Sequence, residues 1–468
     1  SMMGKGTAPI QVISDILKFS SSPVRLLPSR LKILSSPQEF VEALRDGISR
    51  ANKRITLSAL YLGTGKIERQ LAKDLSQACA ARPNLKVEIL LDHSRGTRGK
   101  ENSVSTLLPL LSSAKPGQVR FSLYQMPQLQ LPGGFPYFPS PLNEAVAVHH
   151  LKAYVFDDQT LMSGANLSDQ YFTDRQDRYM CICSSKLSGF YHKLISCLAD
   201  YSFKVMDCGT IQAPTIGGKS YRNKLKNSLN DIIMNVSNKP EPEELLSGTW
   251  VMPTLQHRSI GIRNDEYITK GLLSNLGEES ARGRGFLNLS TAYLNLTNSY
   301  KSLLRKRASG VNVLTAGPTA HGFAGAKGYK SFIPKAYLAL ERDIIHKCIQ
   351  AHQYNSSTLY RYIRPGWTYH AKGLWIGYSQ NKDDDSRLPN LSVIGSSNFG
   401  HRSVYRDLES QIVIISDDDE VRRDLRREWE NLKLFSEKAV FLDDETHSPS
   451  YLSKSSRSQV IKLAQRFL

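Results

Sequence analysis

The residues with types and spacing suited to chemistry come in two matched sets. His150 and Lys152 sit in VHHLKAYVFD, residues 148–157, and His370 and Lys372 sit in TYHAKGLWIG, residues 368–377. Each set is followed by a β-like run ending in small residues and an asparagine, TLMSGAN to Asn166 and LSVIGSSN to Asn398. An acid stands eleven positions beyond each asparagine, Asp177 and Glu409. In an extended strand side chains i and i+2 share a face, so each His-x-Lys presents an imidazole and an ammonium together. A lone strand histidine is most often a satisfied core residue, but packing supplies no reason for this whole order to recur.

Splitting a phosphodiester or pyrophosphate needs a nucleophile for phosphorus, a proton donor for the leaving oxygen, and cations to hold negative oxygens. Two His-x-Lys pairs supply all three. A neutral imidazole attacks through one nitrogen while an acid holds the other, and Asp177 and Glu409 are the candidates for that orienting role. Lys152 and Lys372 would clamp the phosphoryl oxygens, and Asn166 and Asn398 would donate amide hydrogen bonds to the same group. With that much fixed charge the chemistry requires no metal, and no other cofactor is expected.

These side chains need a scaffold, and the chain alternates regularly around them. Residues 30–125 pass from RLKIL to a helix-like PQEFVEALRDGISRA, a strand-like RITLSALYL, a helix-like KIERQLAKDLSQACA and LKVEILLDHS. Helical and strand periods in turn imply βα units on a mixed or parallel sheet, hence an α/β fold. GFLNLSTAYLNL, TNSYKSLLRKRA, GVNVLTAG, IPKAYLALERDIIHKCIQAHQ and STLYRYIRP repeat that order before the second His-x-Lys. The expectation is therefore two related halves, residues 31–205 and 256–468, joined by a linker or inserted helix over 206–255.

Composition narrows the partners. The 468 residues, 40% hydrophobic, suffice for a large core, and 61 Lys plus Arg against 43 Asp plus Glu give a net charge of +18. That balance suits a polyanion: nucleic acid, an anionic lipid surface or a phosphorylated substrate. Six cysteines without a C-x-x-C pair indicate neither a zinc site nor a disulfide framework. No apolar run approaches the length that spans a bilayer, so membrane contact is expected to be peripheral. The opening SMMGKG reads as an expression scar, and the basic residues 5–30 read as either the remnant of a transit region or a frayed basic terminus.

The pattern H-x-K-x4-D followed by a Gly/Ser stretch ending in Asn resembles the phospholipase D superfamily. SGANLSDQYFTDRQDRY, HAKGLWIG, IGSSNFGHRS, RDLESQIVI and LDHSRGTRGKENS are similar to the eukaryotic phosphatidylglycerophosphate synthases, from about residue 31 onward. The resemblance implies two pseudo-symmetric phospholipase D-like βα sandwich halves with the active site at their interface. It also implies CDP-diacylglycerol and glycerol-3-phosphate as substrates, a phosphatidyl-histidine intermediate and a peripheral place on the anionic mitochondrial inner membrane, with no nucleic acid partner. The complete first motif assigns attack to His150 and proton transfer to His370, and the mirror assignment exchanges the two. The position equivalent to Asp157 in the second motif is Gly377, so Asp157, although part of the first catalytic motif, is expected to support geometry rather than react. Phosphatidylserine synthesis, phosphodiester hydrolysis by a phospholipase or nuclease, and a membrane-binding protein that has lost catalysis are the competing readings.

Other segments carry paired expectations. SRGTRGK, with Arg95 and Arg98, and the glycine-rich GFAGAKGYK around Lys327 are candidate substrate-binding loops or simple basic surface turns. MPQLQLPGGFPYFPSPL, residues 126–142, is either a membrane-dipping lip or a buried edge loop. DEVRRDLRREWENLKLF lies on anionic lipid or pairs its arginines with Asp424 and Glu428 along a solvent face.

Overall fold

The computed structural model describes residues 23–129, 146–214, 219–236, 241–281, 285–305, 311–322, 358–378 and 388–439, with Glu144 and a few residues between 337 and 344. Lys327 and the aromatic residues Phe135, Tyr137 and Phe138 of the proline-rich segment lie outside these residues.

Among the described residues two large sheets dominate. The first contains β2 (Leu31–Leu34), β3 (Arg54–Ala59), β4 (Lys86–Asp92), β5 (Val119–Tyr124), β6 (Ala153–Phe156), β7 (Gln159–Ser163), β9 (Tyr179–Cys183), β10 (Phe203–Val205) and β11 (Ile211–Gln212), in the order β11-β10-β5-β4-β3-β6-β7-β9-β2. The second contains β1 (Val24–Leu26), β12 (Thr249–His257), β14 (Gly285–Ser290), β15 (Val311–Ala316), β16 (Thr358–Tyr362), β18 (Gly373–Tyr378), β19 (Leu391–Gly395), β20 (Glu409–Ser416) and β21 (Ser436–Lys438). Its order is β1-β12-β20-β19-β18-β14-β15-β16-β21, with β13 (Ile262–Arg263) beside β12.

The two orders superimpose as β5-β4-β3-β6-β7-β9-β2 on β16-β15-β14-β18-β19-β20-β12. In each, three strands run parallel (β3, β4 and β5; β14, β15 and β16) and the rest of the series is antiparallel. The fold is thus an α/β duplication of two pseudo-symmetric halves. The segment read as a linker contributes β11 to the first sheet and the start of β12 to the second. Its helix Lys219–Met234 buries Tyr221, Leu225, Leu229 and Ile233, one apolar residue per turn.

The strands that lead away from the two motifs are buried on both faces. In β6, Ala153 and Val155 enter one apolar cluster while Tyr154 and Phe156 enter another. In β18, Trp375 faces the first of these and Leu374 and Ile376 face a third. Alternation between two cores explains why AYVF and LWI read as continuous apolar runs. The shared cluster draws on both sheets, on Leu187, Phe190, Leu194 and Leu198 of the helix Ser185–Asp200, and on Val421, Leu425, Trp429 and Leu432 of the helix Asp419–Lys433. It joins the halves into one body.

That last helix corrects one expectation. Arg422 and Arg427 do pair along the helix, with Asp419 at 3.0 Å and Asp424 at 2.8 Å. Glu428 instead turns inward and holds the buried Arg178 of the first half, at 2.7 and 2.8 Å. Arg178 also donates to Val393 O and Ser392 Oγ and lies 3.8 Å from the Trp375 ring centroid.

Candidate active site

The two His-x-Lys motifs dock across the interface, each onto the acid-bearing loop of the opposite half. The His150 N–H donates to Leu408 O at 2.9 Å, and the His370 N–H donates to Gln176 O at 2.8 Å. β8 (Arg175–Gln176) and β17 (Thr368–Tyr369) pair in parallel beside His370, and His149 bridges Leu408 in parallel beside His150. The orienting acids are therefore exchanged. His150 Nδ1 meets Glu409 Oε2 at 2.9 Å, and His370 Nδ1 meets Asp177 Oδ2 at 2.7 Å. Asp177 and Glu409 stand where the spacing put them in sequence, but each serves the histidine of the other half.

Each lysine folds back over its own histidine, Lys152 Nζ donating to His150 O at 2.9 Å and Lys372 Nζ to His370 O at 2.7 Å. The i, i+2 geometry of the motif produces both contacts. Adjacent residues point the other way: His149 is fully buried and its Nε2 shares a hydrogen bond with Ser58 Oγ at 2.8 Å, so it is a core histidine. Gly164 lets Lys372 and Asp177 approach its backbone closely, since a Cβ there would lie 2.9 Å from both Lys372 Nζ and Asp177 Oδ1.

Burial sets the protonation states. It holds both His150 and His370 well below the usual imidazole range, helped by Lys152 and Lys372 around His150 and by Lys372, Arg175, Lys152 and His150 around His370. The two pairs thus lie within one another's fields. Burial also lowers Lys372 to about 8, against the pull of Asp177 and Glu409, and lowers Lys152. It raises Asp177 to about 6, against the pull of Lys372, and raises Glu409. A neutral imidazole with an acid on Nδ1 presents Nε2 for reaction; at His370, Lys372 Nζ also stands 2.7 Å from Nδ1 and 3.2 Å from Nε2.

Asn166 and Asn398 end β-runs of the two halves, and their amide oxygens are buried without a hydrogen-bond partner among the described residues. An amide carries donor and acceptor on one fork: the unmet oxygen would be satisfied by a ligand hydroxyl that donates, and the amide NH₂ can donate to a phosphoryl oxygen. Asn166 Nδ2 donates to Tyr171 Oη at 3.2 Å, and Tyr171 Oη lies 3.2 Å from His370 Nε2.

Asp157 is not brought to this cluster. Its carboxylate accepts the N–H groups of Asn52, Lys53 and Arg54 at 2.8, 2.8 and 2.9 Å, at the far end of β6 from His150. Burial works to raise its carboxyl, but these backbone donors prevail and hold it below the usual range. It locks the β6–β7 turn at φ 50°, so its place in the catalytic set is corrected to a scaffold role. In the second half β18 continues through the equivalent position, where a Cβ on Gly377 would meet the Phe286 ring at 1.9 Å.

Arg95 and Arg98 both pair with Glu144, at 3.3 and 3.2 Å, and Arg95 lies 4.5 Å from the Tyr61 ring centroid. Asp92 accepts the N–H groups of Arg95 and His149, tying this loop to the first motif. Tyr171, Arg175, Arg178 and Arg402 were missed by sequence reasoning. The counterparts of Tyr171, Arg175 and Arg178 in the second half are Ser403, Asp407 and Ser410, so a search for duplicated residues passes over them. Among the described residues no group of three or more His, Cys, Asp or Glu is placed to hold a metal ion, and no helix is long and apolar enough to cross a membrane.

No family model matches the chain. The mitochondrial CDP-diacylglycerol--glycerol-3-phosphate 3-phosphatidyltransferase of Gallus gallus is 36% identical over 454 residues, covering 87% of this chain and 78% of that protein. The Homo sapiens protein of the same name is 36% identical over 448 residues with the same coverage. The Saccharomyces pastorianus CDP-diacylglycerol--glycerol-3-phosphate 3-phosphatidyltransferase is 33% identical over 452 residues, covering 90% of this chain and 85% of its own. Among solved structures, the phosphatidylserine synthase of Haemophilus influenzae Rd KW20 aligns with TM-score 0.73 over 99% of this chain and 100% of that one, at 18% identity, a likeness of fold. With identity at this level sustained across both motifs and most of both proteins, the chain belongs to the family of CDP-diacylglycerol--glycerol-3-phosphate 3-phosphatidyltransferases.

Proposed function

We propose that this chain transfers the phosphatidyl group of CDP-diacylglycerol to the 1-hydroxyl of glycerol-3-phosphate, releasing CMP and forming phosphatidylglycerophosphate, the committed step toward phosphatidylglycerol and cardiolipin. The observation that carries the reading is the exchanged pairing of His150 with Glu409 and of His370 with Asp177, within a family whose named members carry that activity.

His150 Nε2 attacks the β-phosphorus as the P–O bond to CMP breaks, leaving phosphatidyl-histidine. CMP departs as a phosphate with a second pKa near 6, so protonation by His370 is a modest demand in this step. The second step is different. The glycerol hydroxyl gives its proton to His370 Nε2 while its oxygen attacks phosphorus, and the P–N bond to His150 breaks with the electron pair returning to the imidazole. General acid–base help of this kind is worth roughly 10²–10⁴-fold. Lys152 and Lys372, with the amides of Asn166 and Asn398, hold the phosphoryl oxygens, and the substrate's negative charge restores basicity that burial removed from the histidines.

The mitochondrial designation of the chicken and human relatives supports a mitochondrial location, and we place the chain peripherally at the inner membrane. Its +18 net charge favours an anionic surface.

The test supplies CDP-diacylglycerol with glycerol-3-phosphate, serine or water and measures CMP and lipid product. Phosphatidylglycerophosphate should form with glycerol-3-phosphate alone, and His150→Ala and His370→Ala should each abolish it. Full activity in either variant would overturn the mechanism.

A further inference from the structure

The pseudo-symmetry that unites the two half-sites breaks at one charged position. Nine residues after Asn166 stands Arg175, and nine after Asn398 stands Asp407. Because the loops are exchanged, Arg175 lies beside His370 and Asp407 beside His150. Asp407 is neutralised there by Arg402, at 3.2 Å from both of its carboxylate oxygens. Arg175 has no such counter-ion: among the described residues no carboxylate lies within ion-pair distance of its guanidinium, whereas Arg178, Arg402, Arg95 and Arg98 each hold one.

The neighbours of Arg175 are neutral and polar. Its Nε donates to Thr368 Oγ1 at 2.9 Å, and its guanidinium lies 4.8 Å from the ring centroid of Tyr171, whose hydroxyl touches His370 Nε2. Tyr293 stacks edge-on to His370 and His321, with centroids 6.2 and 5.0 Å apart. Burial, then Arg175, drives His321 down to about 4, so it adds no second positive charge. Gly322 packs close to both Tyr293 and Arg175, because a Cβ there would stand 2.8 Å from Tyr293 Oη and 3.7 Å from Arg175 Nη2. A half-buried guanidinium whose described partners are neutral hydroxyls, with no carboxylate in ion-pair reach among the described residues, is a receptor for an oxyanion.

We infer that Arg175, with Tyr293 and the closely packed Gly322 beside it, forms the subsite for the phosphate of the acceptor alcohol, and so makes this half-site select a phosphorylated acceptor. This rests on the proposed transfer to glycerol-3-phosphate. The side of the site decides between substrates: Arg175 accompanies His370, the base for the acceptor hydroxyl, while the cation on the nucleophile's side, Arg402, is already paired. The acceptor's phosphate sits one three-carbon chain from the hydroxyl that His370 deprotonates, and Tyr171 bridges that interval.

The experiment measures steady-state transfer for the full chain with glycerol-3-phosphate and with glycerol. Arg175→Ala should raise KM for glycerol-3-phosphate on the order of 10–100-fold, the loss expected for hydrogen bonds to a charged group. The preference for glycerol-3-phosphate over glycerol, taken as the ratio of their kcat/KM values, should fall by a similar factor, while KM for CDP-diacylglycerol stays within about twofold of the parent chain. Arg175→Lys should recover part of the loss, and Gly322→Ala should raise the same KM without removing a charge. An unchanged KM for glycerol-3-phosphate in Arg175→Ala, or an equal rise for CDP-diacylglycerol, overturns this inference alone. Failure of the unaltered chain to release CMP with glycerol-3-phosphate overturns the parent reading and this one with it.

Discussion

Replacing Asp177 by Asn tests the exchange of acids between the halves, because loop ownership and geometry predict opposite phenotypes. Asp177 belongs to the half that carries His150, yet its Oδ2 holds His370 Nδ1 at 2.7 Å, and Glu409 Oε2 holds His150 Nδ1 at 2.9 Å. A charge-assisted hydrogen bond of this length contributes roughly 1.5–3 kcal/mol, or about 10–150-fold in rate at 1.36 kcal/mol per decade. The amide can also present its NH₂ to Nδ1 and stabilise the wrong tautomer, which adds to the loss, so a total of about 10²–10⁴-fold is expected. The step affected identifies the histidine affected. Rapid-quench measurement of CMP without acceptor isolates attack by His150, and addition of glycerol-3-phosphate to the preformed adduct isolates the step served by His370. Asp177→Asn should retain the CMP burst and slow transfer to the acceptor, whereas Glu409→Gln should suppress the burst itself. A lost burst in Asp177→Asn together with an intact one in Glu409→Gln would refute the exchanged geometry.

Two further outcomes follow from the same network. Arg178→Met leaves the carboxylate of Glu428 buried without its guanidinium, a change worth about 3–5 kcal/mol for a broken buried pair; chemical denaturation should show that loss, and Arg178→Met with Glu428→Leu should recover much of it. Equal stability of the single variant and the parent chain would show that the pair does not join the halves. The free-enzyme pH profile of kcat/KM should be bell-shaped: activity rises as Asp177, held up to about 6, ionises to orient His370, and falls as Lys372, held down to about 8, loses the proton that makes it a phosphate clamp. A profile flat from pH 5 to 9 would remove both groups from the rate-determining chemistry.

Duplication made half of this site readable and hid the rest. His150, Lys152, Asn166 and Asp177 could be recognised because His370, Lys372, Asn398 and Glu409 repeat them, and the βα alternation showed the α/β scaffold because both sheets use the same strand order. Which histidine each acid serves was not readable, since spacing along one chain says nothing about a pseudo-two-fold that exchanges loops. Residues lacking a counterpart were equally invisible: Tyr171, Arg175 and Arg178 face Ser403, Asp407 and Ser410 across the symmetry. The local pattern also overstated Asp157, because a motif records what recurs among sequences and not whether the residue touches substrate or caps a turn. The asymmetric residues are the informative ones for mechanism. Two identical half-sites could exchange a phosphoryl group between like partners, but a reaction that takes it from a nucleotide and gives it to a small alcohol phosphate needs unlike surroundings for nucleophile and base. In this chain the unlikeness is concentrated in the exchanged loops, where an Asp407 paired with Arg402 stands beside one histidine and an Arg175 with no carboxylate partner among the described residues stands beside the other.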